Sequence, residues 1–295
     1  MSKKRRSAKK SGSRSTRKRA AAPPARGRLK VATNKRATTK QRVAAMVDLP
    51  IGSVDSAGNL ESVLEILGDR DEPIQVRLTA LQTLGAARFA SAAFPSIEGD
   101  YVATLRQLAD DPDPELRQRV LGILAREKDG FVQKKLLDGL RDPAKALVAP
   151  EKALQLLGYD PHADAYSVAR QIVSNPPNAL AKREALRLLA ADAGSAPTFE
   201  TILRNKTETP EIRQISAAAL HALNPGSLQS HAREIVLDPT EPDDMRETSL
   251  TALRQFGAPA LADDKPLMDR VEQLSTSSGS KVQHSARQFL SRYKR

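Results

Sequence analysis

Histidines and their acidic neighbours are the residues best suited to metal or acid–base chemistry in this chain. His162 has an aspartate two residues away on each side, Asp160 and Asp164, a spacing that offers two carboxylates and an imidazole to a metal ion. A turn followed by a helix cap uses the same residue types, and we favour that interpretation. The other histidines are dispersed: His221, His231 and His284. The sequence has no HExxH, GxSxG or phosphate-loop motif, so we predict no catalytic residue, metal or cofactor.

A helical pattern that recurs along the chain must position these side chains. Val76, Ala80 and Leu84 are spaced by four residues and share one helix face. The pattern returns in six further triplets: Leu116/Val120/Leu124, Ala149/Ala153/Leu157, Ala181/Ala185/Leu189, Ile212/Ser216/Leu220, Met245/Ser249/Leu253 and Val282/Ala286/Leu290. Their first residues are separated by 40, 33, 32, 31, 33 and 37 positions, which is the period of a helical hairpin. We predict an all-α fold, an α-solenoid of about seven stacked antiparallel helix pairs over residues 57–295.

Polar turns precede the recurring helices. A cap, a proline and an acid stand together at Asp113, Pro114 and Glu115, where unpaired backbone N–H groups and the helix dipole favour them. We predict that several of these second helices end at Gly85, Gly158, Gly257 or residues 224–226, which are suited to a left-handed cap or unable to continue the helix. A shorter leading helix is predicted for residues 38–47, and residues 43–56 are predicted to hold the end of this helix and a linker.

The turn and helix at residues 111–117 resemble the HEAT repeat, which carries Asp and Pro in the turn and an apolar-Arg pair in the second helix. The resemblance covers about residues 57–293, with Pro150 and Gln283 standing where other copies have a basic residue. It implies that the recurring arginines tie neighbouring repeats through turn carboxylates and carbonyls. These arginines are Arg77, Arg117, Arg213 and Arg246. It also implies that second helices line a groove.

Charge is distributed unevenly between the two ends of the chain. Residues 1–42 contain seventeen Lys and Arg and no acid, while the whole chain carries +12, so residues 43–295 sum to −5. We predict that residues 1–42 are a disordered polyanion-binding tail. Its binding residues are predicted to be Lys3, Lys4, Arg5, Arg6, Lys9, Lys10, Arg14, Arg17, Lys18 and Arg19. Second-helix cations are the candidates for a basic groove: Arg119, Arg126, Lys152, Arg183, Arg187, Arg254 and Arg287.

Several functions fit this organisation, and we take a non-enzymatic scaffold or adaptor as the leading hypothesis. Its solenoid surface would bind a protein partner, and its tail would attach to nucleic acid or another polyanion. One alternative is a HEAT-like enzyme related to DNA-repair glycosylases or to bilin lyases; another is an adaptor whose tail serves only as a localisation signal. The absence of Cys and of long apolar runs predicts a cytoplasmic, nuclear or nucleoid-associated protein with no membrane span and no evident small-molecule substrate.

Overall fold

The computed structural model describes residues 25–49, 57–277 and 279–293, and all regular elements in these ranges are helical. The chain divides into two compact units, residues 1–104 and 105–295. The first unit contains α1 (Ala25–Thr33), α2 (Thr39–Val47), α3 (Ala57–Gly68) and α4 (Ile74–Ala90), followed by a 3₁₀ turn at Phe94–Ile97 and by the start of α5 (Glu98–Gln107). α1 packs on α2, α3 packs on α4, and α2 packs on α4, so these helices form two stacked pairs.

The second unit continues the same pairing. Its helices are α6 (Pro114–Arg126), α7 (Gly130–Arg141), α8 (Pro150–Leu157), α9 (Ala163–Ser174), α10 (Ala179–Leu189), α11 (Ala196–Arg204), α12 (Pro210–Leu223), α13 (Pro225–Leu237), α14 (Asp243–Phe256), α15 (Lys265–Ser277) and α16 (Ser280–Tyr293). Each odd-numbered helix from α7 packs against the even-numbered helix that follows, and second helices also pack on second helices, as α8 does on α10. The predicted all-α fold of stacked helix pairs is therefore confirmed within each unit, for α3/α4 in the first and for α7 to α16 in the second.

The recurring stripe forms the core because its residues face neighbouring helices. Val76, Ala80 and Leu84 are completely buried, and the corresponding residues of α6, α10, α12 and α14 are buried as well. In the copy on α8, Ala153 and Leu157 are buried, but Ala149 is exposed. Helix α8 lacks the first turn that its counterparts have, since Pro150 occupies its first position and Ala149 is only the N-cap.

Two sequence predictions about helix ends need correction. Helix α4 does not end at Gly85 but continues to Ala90, with Ser91 as its C-cap. Gly158 and Gly257 do end α8 and α14, but neither adopts the left-handed conformation, since their φ angles are −62° and −67°. Other hydrogen bonds replace the left-handed cap: the Gly257 N–H donates to the carbonyl of Leu253 at 2.8 Å.

The predicted extent of the disordered tail is also wrong for residues 25–42. Residues of the predicted tail form α1 and the start of α2, and they are held by long-range contacts: Ala32 is fully buried and Arg42 is 3% exposed. The predicted leading helix corresponds to α2, where Thr38 and Gln41 form a reciprocal capping box. α1 and α2 make an additional pair before the seven that the sequence predicts. Residues 1–24 and 50–56 lie outside the described part of the chain.

Candidate functional site

A buried arginine ties one helix pair to the next, and Arg213 on α12 shows the arrangement most completely. Its side chain is among the largest that are fully buried, and its Nε donates to the carbonyl oxygen of Leu203 at 2.8 Å. Its two terminal nitrogens donate to Glu241 at 2.6 and 2.8 Å. A bidentate, charge-assisted bond of this kind fixes the distance between two elements as well as stabilising them. Arg213 is one of the four residues at which the sequence predicts a structural tie.

The first unit repeats the arrangement. Arg42 donates from Nε to the carbonyl of Ala32 at 2.8 Å and pairs with the buried Glu72. Arg77 donates from Nε to the carbonyl of Leu67 at 3.2 Å. In all three cases the carbonyl lies ten residues before the arginine. Arg42 was not among the predicted ties.

The other two predicted ties bind mainly backbone oxygens. Arg117 donates to the carbonyls of Leu147 at 2.7 Å and Asp111 at 2.5 Å. Arg246 donates to the carbonyl of Pro239 at 2.8 Å and to the Asp243 carboxylate at 2.8 Å. Three of the four predicted arginines, Arg117, Arg213 and Arg246, therefore reach oxygens of the connecting turns, and Arg77 reaches a carbonyl in the last turn of α3.

The carboxylate partners of these ties follow a positional rule. Glu72 and Glu241 each immediately precede the N-cap residue of the next second helix. Glu208 has the same position before α12, and it accepts from Lys182 at 2.5 Å. A cation at one position and a glutamate 26 to 30 residues later thus close three of the described junctions.

The junction from α8 to α10 has neither residue of the pair. Pro150 stands at the position of the cation, and Pro177 stands immediately before Asn178, the N-cap of α10, where a glutamate would be. Both prolines line a cavity of about 760 Å³, and so does Leu140, ten residues before Pro150. We call this cavity the α7–α10 groove. Its lining residues come from α7, the following loop, α8, α9 and the α9–α10 turn: Lys135, Leu136, Gly139, Leu140, Arg141, Pro143, Ala146, Leu147, Val148, Pro150, Ala153, Val168, Gln171, Ile172, Asn175, Pro176, Pro177 and Asn178.

The charged residues that line the groove are all basic. Lys135 and Arg141 are exposed and line the groove, whereas no Asp or Glu is among the lining residues. The floor is apolar and includes the buried Leu136, Val168 and Ile172. An apolar floor with a few polar groups at its edge is the usual composition of a binding site.

Close backbone packing sets one wall of the groove. A Cβ on Gly139 would lie 2.9 Å from the Cα of Ala146 and 3.3 Å from the carbonyl oxygen of Lys145. Glycine therefore allows the loop after α7 to lie directly against the last turns of that helix. This contact holds the loop in place even though its residues 143–146 are exposed.

The predicted basic groove on the second helices is less positive than its residue list suggests. Arg119 pairs with Glu115 at 2.7 Å, Arg183 with Glu211 at 3.2 Å, and Arg187 with the buried Glu184 at 2.6 Å. The hydrogen bond to Glu211 raises the pKa of Arg183. Arg287 donates to the carbonyl of Ser275 at 3.2 Å. The remaining candidates, Arg126, Lys152 and Arg254, form no ion pair within the described residues.

The predicted tail cations and the His162 stretch are the remaining predicted sites. All ten tail cations, from Lys3 to Arg19, lie outside the described residues. His162 is the N-cap of α9, and its Nδ1 lies 2.7 Å from the carbonyl oxygen of Asp160, to which the ring donates. The described residues contain no cluster of three or more groups suited to metal binding. The His162 stretch is thus a turn and cap, as the sequence interpretation favoured.

Sequence reasoning missed a second set of ties in the second unit, between successive first helices. Arg106 pairs with Asp129 at 2.7 Å, Arg170 pairs with Asp192 at 2.5 Å, and Arg233 pairs with Asp264. The bond from Arg233 lowers the pKa of Asp264 below its ordinary value. Each partner lies 22 to 31 residues further along the chain, so no local spacing reveals the pair.

Stacked helix pairs joined by these ties define the class of protein, an α-solenoid built from repeats. Residues 60–155 match the family model of HEAT repeats. This match confirms the resemblance read from residues 111–117, and it identifies HEAT repeats over residues 60–155 of the chain.

Two solved structures are similar in fold. One is human deoxyhypusine hydroxylase in complex with glycerol, with 17% identity, coverage of 83% of this chain and 99% of that chain, and a TM-score of 0.35. The other is the complex of CpcE and CpcF of phycocyanin lyase from Nostoc sp. PCC7120, with 14% identity, coverage of 96% and 99%, and a TM-score of 0.29. Likenesses of this size carry no argument about function. No curated protein matches the chain. In the described residues no helix combines the length and apolar character that crossing a bilayer requires.

Proposed function

We propose that this protein is a non-enzymatic HEAT-repeat scaffold or adaptor that binds a protein partner on its repeat surface. The observation that carries the proposal is the α7–α10 groove, where the tie that closes other junctions is replaced by Pro150 and Pro177. Its volume of about 760 Å³ and its apolar floor offer a preformed surface for a partner's side chains.

The N-terminal segment supplies the second part of the proposal, attachment to nucleic acid or another polyanion. Residues 1–24 contain ten Lys and Arg and no acid, so the remaining residues of a chain with net charge +12 sum to only +2. A segment of this composition neutralises phosphates and releases their counterions. Since three of the seven predicted groove cations are paired with carboxylates, the segment is the stronger candidate for polyanion binding.

Affinity capture tests both parts together. Full-length protein is compared with residues 25–295, each with and without nuclease treatment. Deletion at residue 25 keeps α1, α2 and the Arg42–Glu72 tie. We expect nucleic acid to be recovered only with the full chain, and a protein partner to be recovered with both forms after nuclease treatment. Loss of every protein partner on nuclease treatment would contradict the scaffold role.

Salt-dependent binding to duplex DNA tests the tail alone. Each phosphate neutralised contributes about 0.9 to the slope of log affinity against log salt, so full engagement of the tail would give a slope of about −9. We expect residues 25–295 to bind with a slope near zero and at least about 100-fold more weakly at low salt. Equal affinity of the two forms would assign DNA binding to the folded units and refute the role given to the tail.

A further inference from the structure

We propose that the α7–α10 groove binds an extended peptide segment of a partner protein that carries apolar and acidic side chains. This inference rests on the proposed scaffold function and specifies the chemistry of the partner at that site. Three features of the groove support it: the absence of the junction ion pair, the two cations of its wall and the prolines that stiffen its turns.

The groove lacks the ion pair that fills equivalent junctions. At the α12–α14 junction, the side chains of Arg213 and Glu241 are 2% and 4% exposed, so the pair occupies the interior of the junction. Two prolines replace this pair at the α8–α10 junction, and both line the open groove. The apolar side chains of Leu140, Ala153 and Ile172 line it as well. Apolar side chains of a ligand would therefore be desolvated there.

The two cations of the groove wall favour a negatively charged ligand. Lys135 contacts the ring of Phe131 at 5.5 Å, and neither Lys135 nor Arg141 forms an ion pair with a described residue. Carboxylates are absent from the lining. Two helices, α7 and α9, end at the groove while α8 and α10 begin there, so opposite ends of helix dipoles offset one another. The two cations therefore decide the preference, and they favour carboxylates over the chain's own basic N-terminal segment.

Amide side chains at the edge of the groove can form hydrogen bonds with the backbone of an extended peptide. Gln171 and Asn175 are exposed, line the groove and form no side-chain hydrogen bond within the described residues. A side-chain amide offers both a donor and an acceptor, which matches the N–H and C=O groups of a peptide unit. Pro143, Pro176 and Pro177 stiffen the surrounding turns, so little ordering accompanies binding.

Selection of random twelve-residue peptides displayed on phage against the full chain tests the inference. We expect enriched peptides to combine Asp or Glu with Leu, Ile, Phe or Pro. Their affinity should fall about tenfold or more when both wall cations are removed in a Lys135→Ser/Arg141→Ser variant. These side chains are exposed, so the fold is expected to be retained. A Lys265→Ser/Lys281→Ser variant loses the same charge at exposed positions outside the groove and should bind as the unmodified chain does.

A second variant, Pro150→Arg/Pro177→Glu, restores the pair found at other junctions without changing net charge. We expect it to lose the selected peptides and to unfold at an equal or higher temperature. Peptides that bind equally to the wall-cation variant and the unmodified chain would overturn the groove assignment, yet they would leave the scaffold function intact. Enrichment of basic peptides at the groove would overturn the assigned ligand chemistry. Failure of any peptide or protein partner to bind would count against both proposals.

Discussion

Removing the guanidinium of Arg213 should destabilise the protein far more than removing an exposed arginine. An Arg213→Ala variant leaves Glu241, which is 5% exposed, as a buried carboxylate without its bidentate partner, and it also leaves the carbonyl of Leu203 without its 2.8 Å donor. Breaking a buried pair from one side costs about 3–5 kcal/mol, since the remaining charge stays desolvated. We expect a loss of that size in the free energy of unfolding.

Urea unfolding followed by far-UV circular dichroism measures this loss. Arg119→Ala is the matched control, because Arg119 pairs with Glu115 at 2.7 Å with about half of each side chain exposed. Such surface pairs contribute about 0–1 kcal/mol. A double variant, Arg213→Met/Glu241→Leu, should recover most of the stability, since it removes both buried charges. If Arg213→Ala costs no more than Arg119→Ala, the interpretation of the arginines as ties is wrong.

Three further outcomes are expected. Gly139→Ala should lower the melting temperature and cost about 1–3 kcal/mol of unfolding free energy, because its Cβ would meet backbone atoms at 2.9 and 3.3 Å. Gly85→Ala on α4, where a Cβ would have no neighbour within 4 Å, should raise the melting temperature. The reverse order would contradict the packing described. Arg233→Gln should destabilise the fold at neutral pH and progressively less as pH falls below the unfolded pKa of about 3.9: the folded pKa of Asp264 is depressed, so its bond contributes fully above the unfolded pKa and is lost as pH falls through the folded value. A penalty that does not shrink as unfolding titrations proceed below the unfolded pKa would contradict this reasoning. Arg42→Ala should increase hydrogen exchange throughout α1 and α2, because its tie to a buried glutamate holds that pair; unchanged exchange there would show that the tie is dispensable.

The repeat could be predicted because its signal is local. Stripes such as Val76, Ala80 and Leu84 recur within single helices, and the cap and proline that start each helix lie within the same few residues. Helix α2 was predicted, but α1 and its pairing with α2 were missed because residues 25–36 are rich in Lys and Arg and lack acids. A cap followed four residues later by arginine, as in Thr38 and Arg42, is the local signal of the tie that α2 carries.

The groove and the pairing of Arg183 could not be predicted because both depend on residues that are distant in the sequence. The departure at Pro150 is visible in the sequence, but its consequence depends on Pro177, which the fold brings to the same cavity. The second-helix cations were overestimated as a basic surface for a related reason. Arg183 is paired with Glu211 on the next second helix, a contact that only the packed structure shows, whereas the partner of Arg187 lies three residues earlier on the same helix.

The most direct test of the scaffold proposal is the affinity of a selected acidic, apolar peptide for three forms of the full chain. Fluorescence anisotropy at one fixed salt concentration would compare the unmodified protein with the Lys135→Ser/Arg141→Ser and Pro150→Arg/Pro177→Glu variants. We expect binding to the unmodified chain, about tenfold or greater weakening without the two wall cations, and no measurable binding when the junction pair is restored. Equal affinity for all three folded proteins would contradict the claim that the α7–α10 groove is the binding site.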